Sequence, residues 1–188
     1  MKSVRNNEII LAVMVVVLLV GAFYTWRVVE KRNTVELQDS SAFSSLGTTG
    51  EQSPYTDLYG NTIVLSDYIG EVLVVTSWAS WCPACATDLP RLSAVATSYE
   101  SKPVHFLAIN RSEPPNTADR YLRTVKATSG VLLILDPDDR FYKSIGGYAM
   151  PETVFFDAAG KIVYHARGSM RTEEMRKYIE KALESAPQ

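Results

Sequence analysis

The 188-residue sequence predicts an α/β domain, a mixed central sheet flanked by helices, preceded by an N-terminal transmembrane helix. Three observations carry that prediction. From residue 54 onward, short apolar runs of strand character alternate with amphipathic runs of helical spacing. The order opens strand–helix–strand, which needs a parallel crossover, and closes with a hairpin and a helix, which adds antiparallel strands. Residues 9–26 (IILAVMVVVLLVGAFYTW) contain no charged side chain.

Taken in order, residues 1–8 form a polar tail carrying Lys2, Arg5 and Glu8. A helix over 9–26 would be roughly 27 Å long, close to the hydrocarbon thickness of a bilayer. Phe23, Tyr24 and Trp26 cluster at one end before Arg27, Lys31 and Arg32, as an interfacial belt does. Length and that aromatic flank favour an uncleaved anchor over a cleaved signal peptide, despite the small residues of Val20-Gly21-Ala22. Basic residues on both flanks leave orientation undecided by charge. Residues 27–53 are rich in Ser, Thr, Gln and Gly and read as a tether. The folded domain spans 54–188.

Within it, Tyr55–Leu58 and Thr62–Leu65 around Tyr59-Gly60-Asn61 read as a hairpin. Val72–Ser77 reads as a buried strand, and Pro83 to Ser98 as a helix that Pro90 should kink. Val104–Asn110 is a strand, Thr117–Ser129 a helix capped by Thr117, and Val131–Leu135 a strand. Arg140–Ile145 makes a helical turn. Thr153–Phe156 and Lys161–His165 form a second hairpin about Asp157-Ala158-Ala159-Gly160. Thr172–Ser185 is the closing helix, capped by Thr172, with Met175, Ile179 and Leu183 facing the core.

Formal net charge is −2 and no basic–aromatic stripe is present, which excludes nucleic acid as the expected partner. The only two cysteines are Cys82 and Cys85. Two are too few for an all-cysteine zinc site, and a loop this short would stabilise the fold little as a structural disulfide. No metal and no cofactor beyond a redox-active Cys82–Cys85 disulfide are expected. Strand, Cys-x-x-Cys, helix is a redox arrangement. Cys82 precedes a helix whose free N–H groups and dipole favour a thiolate, so it is the expected nucleophile. Cys85 is expected about one turn in and more buried, resolving the mixed disulfide. Trp81 offers a flat apolar contact to a partner, with Pro83 and Ala84 beside it, while Trp78 packs beneath. His105 and His165 fall in strands and read as packing residues.

The stretch Trp78-Ala79-Ser80-Trp81-Cys82-Pro83-Ala84-Cys85, with Pro90 five residues on, resembles the thioredoxin superfamily signature W-x-x-W-C-x-x-C, and the resemblance extends over roughly residues 54–186. It includes Gly147-Tyr148-Ala149-Met150-Pro151-Glu152-Thr153 before a strand. The resemblance implies a thioredoxin-like fold with Pro151 cis and facing the cysteines, and Met150 presenting its backbone to substrate. The anchor, WCPxC and Pro-Glu-Thr look most like the membrane-tethered CcmG (DsbE), TlpA and ResA proteins. That likeness implies acidic residues tuning the cysteines, at Asp88 and Glu152. One departure stands out: thioredoxin has a buried aspartate six residues before its first cysteine, where this chain has Thr76.

The function expected is a thiol–disulfide oxidoreductase, single-pass in the cytoplasmic membrane with its C-terminal domain extracytoplasmic. It would take electrons from a membrane thiol protein and reduce an oxidised Cys pair in a partner, with cytochrome c maturation implied by the family. An oxidant or isomerase of secreted proteins is the alternative, since Pro83-Ala84 does not fix direction. A non-catalytic thioredoxin-like interaction domain is the other.

Overall fold

The computed structural model describes residues 54–127 and 129–185, together with Met14 and Val20, which are helical and exposed. The chain divides into two compact units, residues 1–40 and 41–188, and the fold below is that of the second. The expected tail, membrane span and tether lie outside the described residues but for those two positions. No helix among the described residues is long and apolar enough to cross a membrane.

The elements are β1 (Tyr55–Asp57), β2 (Thr62–Ile63), a 3₁₀ turn (Leu65–Tyr68), β3 (Val72–Trp78), α1 (Cys85–Thr97), β4 (Val104–Arg111), α2 (Pro115–Val125), β5 (Leu132–Asp136), α3 (Arg140–Ser144), β6 (Glu152–Phe156), β7 (Ile162–Arg167) and α4 (Thr172–Glu184). They build one seven-stranded sheet in the order β2-β1-β5-β4-β3-β6-β7. Strands β3, β4 and β5 are mutually parallel through the α1 and α2 crossovers. β6 runs antiparallel to β3, and β1–β2 and β6–β7 are antiparallel hairpins, so the sheet is mixed as expected.

All seven residues of β3 are buried, which explains their unbroken apolarity. Alternate side chains feed opposite faces. Val72 and Val74 join Leu89, Leu92, Phe155 and Ile179 in the core under α1 and α4, with Ala118 and Leu122 of α2. Leu73 and Val75 join Leu65, Phe141 and Phe156 on the other face. That second face is closed by α3 and the 3₁₀ turn, so Leu65 opens that turn and does not end a hairpin strand as expected.

Several boundaries shift for identifiable reasons. α2 begins two residues before the expected Thr117, because Pro115 at its first position has the fixed φ a helix start needs and lacks only an N–H that is free there anyway. It ends at Val125 with Lys126 left-handed at φ 56°. Thr172 is the first residue of α4 rather than its cap. Arg171 holds the cap position, and its backbone N–H donates to the Glu174 side chain at 2.9 Å. α1 runs continuously through Pro90.

Candidate active site

β3 and β4 are parallel and in register from Val72↔Val104 to Trp78↔Asn110, so both end at the same edge of the sheet. The antiparallel β6 begins there, with Ser77 opposite Glu152. Three loops therefore converge: 79–84 after β3, 112–114 after β4, and 146–151 before β6.

The first loop carries the cysteines. Cys82 and Cys85 are joined in a disulfide with Cα atoms 5.4 Å apart. Residues 82–84 make a tight turn, and Cys85 is the first residue of α1, not one turn inside it as expected. The turn is closed by the Cys85 N–H, which donates to the Cys82 carbonyl and to Cys82 Sγ, each at 3.2 Å. A helix-start N–H aimed at Sγ stabilises negative charge on that sulfur. Cys82 retains 3 % of its surface and Cys85 none, so any attack enters at Cys82. Pro83 is exposed, Ala84 half-buried and Trp81 61 % exposed. Trp78 is buried and stacks on Tyr121 with ring centroids 5.6 Å apart.

The Met150–Pro151 bond is cis, as the resemblance implies, and half-buried Met150 packs against the core cluster that contains both cysteines. Glu152 is fully buried. Its Oε1 accepts the Tyr148 and Ala149 N–H groups, both at 2.7 Å, and its Oε2 lies 2.6 Å from His165 Nε2. His165 is thus a partner of the site's carboxylate and more than packing. His105 instead sits half-exposed on the surface, 2.7 Å from Glu71. Asp88 is buried in the first turn of α1. Its Oδ2 accepts the Met170 N–H at 2.9 Å and its Oδ1 accepts from Arg91 at 3.2 Å, tying α1 to the loop after β7. Where thioredoxin carries its buried acid, Thr76 pairs its hydroxyl with that of Thr153 at 3.0 Å.

Glu113, Arg111 and Tyr142 also belong to the site, though no motif in the sequence marks them. Glu113 binds the cysteine loop to the β4–α2 loop, accepting the Ser80 N–H at 2.8 Å, the Ser80 hydroxyl at 2.5 Å and Asn110 Nδ2 at 2.7 Å. Its one available signal was topological, because parallel neighbours bring their C-terminal loops together. Arg111 forks onto Asp139 at 2.7 and 2.6 Å and lies over the Tyr142 ring, 3.4 Å from its centroid. Burial, with the charge of Glu152 adding to it, holds the Tyr142 phenol above its ordinary value, so it stays a donor. That donor reaches the Ala149 carbonyl at 3.0 Å. Among the described residues no group of three His, Cys, Asp or Glu side chains is placed to hold a metal ion.

The redoxin family model matches residues 37–183. Thiol-disulfide oxidoreductase ResA of Geobacillus thermodenitrificans is 25 % identical over 136 residues, covering 72 % of this chain and 77 % of that one. Among solved structures, a putative thiol:disulfide interchange protein DsbE from Chlorobium tepidum superposes with a TM-score of 0.64 at 25 % identity, over 69 % of this chain and 92 % of its own. A secreted Mycobacterium tuberculosis disulfide oxidoreductase has the same fold, with a TM-score of 0.61 at 21 % identity over 69 % and 96 % of the two chains. With a buried Cys-x-x-Cys disulfide at a helix start and a cis-proline loop against its core, the chain belongs to the redoxin family and is a thiol–disulfide oxidoreductase.

Proposed function

We propose that the protein is a membrane-tethered, extracytoplasmic reductase of disulfides in partner proteins. The Cys85 N–H directed at Cys82 Sγ carries the choice of Cys82 as nucleophile, and the buried carboxylates of Asp88 and Glu152 near the site carry the reductive direction. In the dithiol form, Cys82 thiolate attacks one sulfur of a partner's disulfide, and the partner's other sulfur leaves as thiolate. Cys85 then loses its proton and attacks Cys82 Sγ, which forms the Cys82–Cys85 disulfide and releases the partner's second thiol. Two electrons have passed to the partner, and a thiol donor must restore the pair. The protein needs no cofactor beyond this disulfide.

Trp81, Pro83, Ala84 and Met150 supply the contact surface for the partner, and Pro151 backs the disulfide. Asp88 and Glu152 place buried carboxylates on the elements carrying Cys85 and Pro151, where negative charge raises the cost of a thiolate and leaves a stronger reductant. Charge-free residues 9–26 support anchoring of the domain by a 27–53 tether, and a redox couple beside such an anchor fits an extracytoplasmic location in the cytoplasmic membrane. The WCPxC and Pro-Glu-Thr resemblance supports cytochrome c maturation as the setting.

The test is a Cys85→Ala variant of the full chain, expressed with its membranes. It should accumulate a mixed disulfide on Cys82 with a membrane or extracytoplasmic protein, and sediment with the membrane fraction. A reduction potential near about −120 mV for the wild-type couple would overturn the reductive direction in favour of an oxidant.

A further inference from the structure

We propose that Arg111 and Tyr142 form a bracket that sets the spacing between the two sides of the substrate surface, so that they govern how tightly a polypeptide disulfide is held. The proposal rests on the oxidoreductase assignment and concerns residues that take no part in the electron transfer itself.

The two sides of that surface come from distant parts of the chain. Trp81, next to the nucleophile, is 61 % exposed, and Tyr148, in the loop leading to Pro151, is 76 % exposed. Large exposed aromatic side chains on the cysteine loop and on the cis-proline loop suit contact with a polypeptide. The β3–β6 pairing ties their strands as far as Ser77 and Glu152, and beyond it one continuous set of side-chain contacts joins the loops themselves. The Arg111 guanidinium lies 5.8 Å from the Trp81 ring centroid and 3.4 Å from that of Tyr142. Both of its forked hydrogen bonds go to Asp139, which fixes its plane, and only 16 % of its side chain is exposed. Tyr142 in turn donates its hydroxyl to the Ala149 carbonyl. Its ring also lies flat against the loop backbone. A Cβ at Gly147 would come within 2.4–2.6 Å of three ring atoms, so only glycine admits the ring at this depth.

The path therefore runs from Trp81 through Arg111 and Tyr142 to Ala149, two residues before Pro151. Each link is rigid: a planar fork, a ring in a fitted slot, and a hydrogen bond from a protonated phenol. A partner that bridges Trp81 and the 148–150 backbone meets a gap whose width these links fix, and pre-organisation of that kind lowers the cost of binding. A small disulfide touches only Cys82 and does not sense the gap.

The experiment compares two acceptors in single-turnover reactions of the reduced protein: insulin, a polypeptide disulfide, and oxidised glutathione. Tyr142→Phe should raise the insulin concentration at half-maximal rate about fivefold, the loss of one neutral hydrogen bond. Arg111→Met should raise it up to about tenfold, since a stacked cation is lost as well. The maximal rate, the rate with oxidised glutathione and the reduction potential should stay at the wild-type level. Arg111→Lys, which keeps charge but not the fork, should fall between. The proposal is overturned if insulin and glutathione rates fall together, if the potential moves, or if half-saturation is unchanged in both Tyr142→Phe and Arg111→Met. Should Tyr142→Phe not fold, the Arg111 pair decides alone. A wild-type protein inert toward both acceptors would instead count against the oxidoreductase assignment.

Discussion

Replacing Glu152 separates two roles for a buried carboxylate beside a redox site. In the structure its oxygens are committed to three partners, the Tyr148 and Ala149 N–H groups and His165 Nε2, at 2.7, 2.7 and 2.6 Å. Glu152→Ala strips all three, taking the carboxylate from buried His165 Nε2 and from the two loop N–H groups. Leaving three buried donors without that acceptor, at the lower end of about 1–3 kcal/mol each, costs about 3–5 kcal/mol. For a domain near 130 residues that is a fall in Tm of roughly 10–20 °C. Glu152→Gln keeps one oxygen for the two N–H groups. It weakens each bond from charge-assisted to neutral, a loss of about 1 kcal/mol per bond and about 2 kcal/mol in all. Its amide N–H₂ meets His165 Nε2, which accepts once the imidazole proton moves to Nδ1. The expected order of Tm is wild type, Gln, then Ala, read by circular dichroism on the oxidised protein, with the Cys82 thiolate of the reduced protein titrated in parallel by ultraviolet absorbance. If Ala and Gln both unfold within about 2 °C of wild type while the thiolate titration shifts equally in both, the reasoning fails, and Glu152 acts on the cysteines alone and does not hold the loop.

Two further predictions follow from single side chains. Glu113→Gln leaves at least one of Ser80 N–H, Ser80 O–H and Asn110 Nδ2 without its carboxylate. The half-exposed site should lose about 1 kcal/mol in urea denaturation, with faster amide hydrogen exchange at Ser80; unchanged exchange there would refute the link. Asp57 turns the β1–β2 hairpin. Burial pushes its carboxyl up, but the Asn61 side chain and then the Asn61, Tyr59 and Gly60 backbone outweigh that and hold it below its ordinary value. A carboxylate lowered on folding stabilises the fold above its unfolded pKa of about 3.9, and that contribution is lost as pH falls through the lower folded value. Asp57→Asn should therefore flatten the acid side of the stability profile below about pH 4 while changing little of its slope at neutral pH; an unchanged acid slope would refute it.

The strands and helices were legible because their side chains report burial directly. β3 reads VLVVTSW because every position is covered, and α4 shows Met175 and Ile179 on one face because the other is wet. The Cys-x-x-Cys was legible because its chemistry is local, held within one turn. Less visible was anything fixed across the sheet. Asp88 carries an ordinary helix-surface residue type at an ordinary position, and only the fold brings the Met170 N–H onto it. Arg111 looks like a charge closing a strand, Tyr142 like one aromatic in a short helical turn. Neither has a periodic partner, because their contacts span 31 residues from Arg111 to Tyr142 and 7 from Tyr142 to Ala149.

The site's dependence on topology also explains why its parts sit so far apart in sequence. Were the sheet wholly parallel, β6 would end, not begin, at the edge where β3 and β4 end, and Phe156 rather than Glu152 would face Ser77. The antiparallel step places the start of β6 there, so the residues just before it, 148–151, meet the cysteine loop. A strand start is the only part of a strand whose preceding loop is free to adopt a shape of its own. Here that loop is held by acceptors from both directions: Glu152 takes its N–H groups, and Tyr142 donates to its Ala149 carbonyl. The amide and the carbonyl of Ala149 are thus fixed by two different elements. A substitution that frees only one of them should leave the loop anchored through the other, so Glu152→Gln combined with Tyr142→Phe is expected to cost more than the sum of the two, by the 0.5–3 kcal/mol typical of coupled neighbours.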